Sequence, residues 1–82
     1  MALNDQSYAH VTAHASQVID RIGGDLREKL MQYPEQAEFW RGRYHAYAEG
    51  ALAVWMAATS GLAHAQDAGT LAEKVRNIAE GE

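Results

Sequence analysis

Between Trp40 and Leu62 the apolar residues recur at intervals of three and four. Trp40, Tyr44, Tyr47, Ala51, Val54, Trp55, Ala58 and Leu62 mark one seam of a helix. On roughly the opposite side runs a second series made only of small residues: Gly42, Ala46, Gly50, Ala53, Ala57 and Gly61. A helix apolar on two faces has to be covered on both. Upstream, Tyr8, Val11, Ala15, Val18, Ile22, Leu26, Leu30 and Tyr33 keep the same three-four rhythm, close to a coiled-coil seam. The pattern predicts a first helix from about residue 4 to 33, with Asp5 or Ser7 available to cap its exposed amides. Gly23 and Gly24 fall inside it, where each costs about 1 kcal/mol relative to alanine. The seam stays in phase across them, so a continuous, bent helix is expected rather than a break at Asp25.

Pro34 closes that helix, because the residue before a proline is pushed out of helical geometry and the ring nitrogen cannot donate. Proline also suits the first turn of a new helix, and Glu35 and Glu38 favour the positive end of its dipole. The second helix is therefore expected over about 34–61, with Gly61 as its C-cap. So short a connection between two long amphipathic helices implies an antiparallel hairpin. Residues 65–69 resemble a loop. Thr70 with Glu73 makes a capping-box pattern, and Leu71, Val75 and Ile78 then line a short third helix over about 70–80. The expected fold is all-α: a helical hairpin of two long helices plus a short C-terminal helix, assembled into an oligomeric helical bundle.

Eighty-two residues support one domain, and a core of that size is marginal for a monomer. Small chains compensate with disulfides, metals or oligomerisation. The absence of cysteine removes disulfides and thiolate metal sites, which points to a homo-oligomer, a dimer or larger. The formal net charge of −4 and the scattered placement of seven basic residues argue against a nucleic-acid partner. The first residues, Met-Ala-Leu-Asn-Asp-Gln, lack the basic and apolar regions of a secretion signal, so a cytoplasmic protein is expected. The uncharged run 50–66 is too short and too polar to cross a bilayer, which takes about 20 apolar residues. No membrane association is expected.

Candidate chemistry is sparse. His10 and His14 have the spacing at which two imidazoles share a metal, with His64 as the available third ligand. The catalytic version of that motif needs Glu after the first His, and Val11 stands there. Two solvated histidines are the simpler reading, and no metal or other cofactor is expected. Arg41, His45 and Glu49, with Glu38 beyond them, form a ladder at helical spacing; such pairs stabilise a helix by about 0.2–0.5 kcal/mol each, which suffices to explain it. Ser60 and His64 lack a nucleophile-elbow context and read as a helix end. No catalytic residue is assigned.

The aromatic series suits a core, an interface or a small-ligand site, since Trp, Tyr and Arg dominate binding hot spots. Trp40, Arg41 and Arg43 beside the turn are the candidate contacts for a foreign partner. Gly42 and Gly50, with Ala46 between them, make sense where another backbone approaches closely, either the first helix of the same chain or a second chain. The expected interface thus comprises Trp40, Arg41, Gly42, Arg43, Tyr44, Ala46, Tyr47, Gly50 and Trp55.

The stretch Glu-Phe-Trp-Arg-Gly-Arg-Tyr-His-Ala-Tyr (38–47), behind a proline that closes a long amphipathic helix, resembles the short alanine-rich two-helix accessory proteins of tailed-phage and prophage gene clusters. The similarity covers residues 25–60 and implies an assembly, packaging or host-modulating role through protein contacts. The leading expectation is a non-enzymatic, self-associating interaction module. Alternatives are a small acidic regulator or inhibitor of a host protein, and a histidine-based metal- or ligand-binding bundle.

Overall fold

A computed structural model describes residues 5–60 and 62–80. Helix α1 spans Asp5–Gln32, a 3-10 turn follows at Pro34–Gln36, and helices α2 (Ala37–Ala58) and α3 (Ala65–Glu80) complete the chain. No strand occurs among the described residues. The molecule measures 46 × 18 × 16 Å, the shape of a long α1/α2 hairpin with a shorter helix laid along one side.

Helix α1 runs unbroken through the glycine pair. A Cβ at Gly23 would sit 3.8 Å from Ile78 Cγ1, an ordinary contact, so α3 closes over the glycines without requiring them. At the hairpin end the Tyr33 amide donates to the Lys29 carbonyl (2.8 Å), and the Gln36 amide donates to Tyr33 (3.0 Å). Pro34 then opens the 3-10 turn, its missing donor costing nothing at that position.

The core comprises Ala15, Ile19 and Leu26 of α1, Ala48 and Trp55 of α2, and Leu71, Val75 and Ile78 of α3. On α1 the expected seam supplies Ala15 and Leu26, while Ile19 lies outside it and is among the most deeply buried residues. Ile19 faces α3, so α1 uses two adjoining stripes, one for each neighbour. On α2 the buried line passes through Ala48, Trp55 and Thr59, with Arg41 and His45 half-buried on the same side. The deepest stripe is therefore displaced from the predicted aromatic seam toward the side where α3 packs.

The C-terminal half differs from expectation. Residues 65–69 are helical, and α3 begins five residues before Thr70. Thr70 caps nothing; its hydroxyl donates to the Gln66 carbonyl (3.0 Å) inside the helix. Two anchors fix the earlier start. The Tyr8 hydroxyl donates to Asp67 Oδ2 (2.8 Å), and the His64 amide donates to the same hydroxyl (3.0 Å). Asp67 also lies in the first turn, at the positive end of the helix dipole. Helix α2 ends at Ala58 rather than near residue 61. Thr59 closes its last turn, donating through both its amide (3.0 Å) and its hydroxyl (2.8 Å) to the Trp55 carbonyl. The expected Gly61 cap lies outside the described residues.

Candidate functional site

Helix α3 covers one side of the hairpin and leaves the other side open. On that open side a groove of about 240 Å³ runs between α1 and α2. Val11, His14, Ala15 and Val18 form one wall, and Ala51, Val54, Trp55 and Ala58 form the other. Val54 is 70% exposed. These α2 residues belong to the predicted aromatic seam, which therefore forms the rim of the groove and only partly enters the core. No Asp, Glu, Lys or Arg occurs from Gln6 to Ile19 or from Gly50 to Gln66, so both walls and their flanks carry no permanent charge.

Trp55 floors this groove and is a core residue, 2% exposed, with its indole N–H donated to Thr12 Oγ1 (2.9 Å). Of the expected interface residues it is the one buried in the core of the single chain. A large ring with one donor is sealed here by a hydroxyl one helix away, so little of it is left for a partner to touch.

At the tip of the hairpin the expected aromatic group assembles. Trp40 stacks on Tyr33 (5.9 Å between centroids) and meets Phe39 (5.0 Å) and Tyr44 (6.1 Å) edge-on. Its indole donates to Gln36 Oε1 (3.1 Å). Lys29 Nζ lies 5.0 Å from the centre of the Trp40 ring, a cation–π contact. Arg43 donates from Nε to the Tyr47 hydroxyl (2.8 Å) and faces the Phe39 and Tyr47 rings. Phe39 and Tyr47 remain 57% and 48% exposed, so the tip offers apolar rings edged by cations.

Arg41, half-buried, faces the other way. It lines a depression with Glu38, Gly42, His45 and the α3 residue Ala79, and its buried Nε has no hydrogen-bond partner among the described residues. The expected polar ladder is realised in one rung, His45 Nδ1 lying 2.9 Å from Glu49 Oε1. Of the nine expected interface residues, Arg43 and Tyr47 are exposed, Trp40, Arg41 and Tyr44 are half-buried, and Gly42, Ala46 and Gly50 lie on the outer back of α2. A Cβ built at Gly42 or Gly50 meets nothing within 4 Å. Helix α1 therefore does not fill the small-residue ridge at Gly42 and Gly50, and among the described residues nothing packs there.

The histidines do not converge. His10 and His14 are both exposed on α1, whereas the His64 ring sits edge-on against Tyr8 (4.9 Å between centroids). Among the described residues, no group of three His, Cys, Asp or Glu side chains is placed to hold a metal ion. Sequence reasoning missed the Tyr8 clamp and the Thr12–Trp55 bond, which join residues 56 to 59 and 43 positions apart. A usable signal existed only for the core: Thr12, Ile19 and Gly23 repeat at seven and four, a second stripe beside the main seam. No described helix is long and apolar enough to cross a membrane. No known protein family matches the sequence, and no curated protein or solved structure matches it either.

Proposed function

We propose that this chain is a non-enzymatic, self-associating helical interaction module, and that two copies meet through the open α1/α2 face. The observation that carries the reading is the charge-free groove between Val11–Val18 and Ala51–Ala58, with Val54 standing exposed at its edge. A two-fold contact brings each surface against itself, so any charge near the axis meets its own kind. Each copy carries a formal charge of −4, and at this groove close approach of two copies opposes no permanent like charges from the lining residues. It also holds both parts of a helix contact, a groove and a protruding Val54, as knobs-into-holes packing requires.

Size supports the same reading. A long face of the molecule measures 46 by 18 Å, roughly 800 Å² in projection, and a standard interface takes about 800 Å² from each partner. Contact along the whole face would reach beyond the charge-free groove to Tyr47 and the Trp40 cluster at the tip, where Lys29 and Arg43 lie against the rings. The lining offers one imidazole, an indole N–H already donated to Thr12, and otherwise aliphatic carbon, which suits packing better than turnover. A phage-type assembly or accessory role is the biological setting we favour. A second reading, a small acidic regulator of another protein, draws on the exposed Phe39, Tyr47 and Arg43 at the tip.

Light scattering coupled to size exclusion, at a few micromolar and at ten times that, tests the proposal. The expected result is a dimer or larger species that Val54→Glu converts to a folded monomer, because the new carboxylate would be buried against its own copy. A wild-type chain that is monomeric at both concentrations, or a Val54→Glu variant of unchanged mass, would overturn it.

A further inference from the structure

We propose that His14 makes this self-association pH-dependent, two copies joining at neutral to alkaline pH and separating when the imidazole takes up a proton. The inference rests on the reading of the α1/α2 groove as the meeting face. His14 lines the groove beside Val11, Ala15 and Val18. The α2 residues facing it are Ala51, Val54, Trp55 and Ala58, none of which titrates, and α3 contributes nothing to this lining. On its own helix the nearest ionisable neighbour is His10, one turn earlier and also cationic when protonated. No carboxylate occurs in either flanking stretch, 6–19 or 50–66.

In a single chain His14 is exposed and water solvates either form of its ring. Closing a second copy over the groove removes that water. A neutral imidazole tolerates the change, whereas an imidazolium loses its hydration and finds no anion to replace it. The two-fold contact also supplies a second His14 to the same apolar interface, so two like charges would be enclosed together. Imidazole is the side-chain type that acidification near neutral pH can charge, and His14 is the one such group in the groove lining.

Overall charge predicts the opposite trend. Protonating all four histidines would bring the formal charge from −4 to zero, which lowers repulsion between copies and by itself favours association on acidification. A dimer that weakens as pH falls therefore reports a local group. Each two-fold contact encloses two such imidazoles, so the penalty on the charged form counts twice in the loss of affinity.

The experiment is sedimentation velocity of the full chain at about pH 8 and about pH 5.5 at constant ionic strength, with circular dichroism on the same samples. Wild type, His14→Gln and His10→Gln are compared. Expected is a dimer at pH 8 whose dissociation constant rises at least about tenfold at pH 5.5 with helicity retained. His14→Gln should remain dimeric at both values, and His10→Gln should behave as wild type. A wild-type dimer indifferent to pH, a His14→Gln dimer that still separates, or rescue by His10→Gln would overturn the switch and leave the groove reading standing. Separation that coincides with loss of helicity in wild type and His14→Gln alike would also overturn it. A wild-type monomer at both pH values would remove the groove reading, and the switch with it.

Discussion

Thr12→Val is the sharpest test of how this small core is held. Trp55 is 2% exposed, and its indole N–H has one partner, the Thr12 hydroxyl at 2.9 Å. Valine keeps the shape and branching of threonine and removes only the acceptor. The N–H of this nearly buried ring then loses its partner, which costs about 1–3 kcal/mol. A chain of 82 residues has a total stability of roughly 4–12 kcal/mol, so the loss is a large fraction of it. At about 4–8 °C per kcal/mol for a domain of this size, the melting temperature should fall by roughly 4–24 °C. Thr12→Ser keeps the acceptor and should recover most of the loss. Trp55→Phe removes the donor, so adding Thr12→Val to it should cost far less than in the parent, a coupling readable in a double-mutant cycle. Urea titration followed by circular dichroism suits all five chains, at one fixed protein concentration because association would add to stability. A Thr12→Val variant within 0.5 kcal/mol of the parent would refute the reasoning.

Tyr8→Phe deletes the hydroxyl that donates to Asp67 and accepts from the His64 amide; a loss of about 1–2 kcal/mol and faster amide exchange over residues 64–68 are expected, and unchanged exchange there would show that the clamp does not set the start of α3. Gly50→Leu places a side chain where nothing lies within 4 Å, so helix propensity alone should raise stability by roughly 0.8 kcal/mol with no change of mass. A lower melting temperature and a smaller assembly would instead mean that another backbone packs on the ridge, at the 1–3 kcal/mol typical of overpacking. Gly24→Ala meets only the tip of Arg27 at 3.8 Å and should stabilise by about 0.5–1 kcal/mol in thermal melts, whereas destabilisation would mean that α1 needs the glycine.

The two long helices and the turn were legible because each follows from local rules. Three-four spacing marked α1 and α2, and Pro34 could not sit in the interior of either. The third helix was legible only in its second half. Thr70 and Glu73 satisfy a capping rule, but that rule describes an isolated helix end. Tyr8, 59 residues away from Asp67, supplied a stronger anchor and moved the start to Ala65. Periodicity likewise could not name the depth of each position. Ile19, Ala48 and Thr59 are deeply buried because α3 lies against that side, whereas Val54, at a better seam position, is left at the open groove.

By itself the sequence determined the all-helical class, the hairpin, the charge-free stretches at 6–19 and 50–66, and the existence of a small-residue ridge on α2, since spacing and residue type carry that information. Tertiary structure alone decided which face α3 covers. That choice sends Trp55 into the core and Val54 to a rim, puts His14 in an apolar groove, and leaves the histidines unable to converge on a metal. The reason is physical: local rules fix the direction of each side chain around its own helix axis, while burial and partners depend on where a second and a third helix lie.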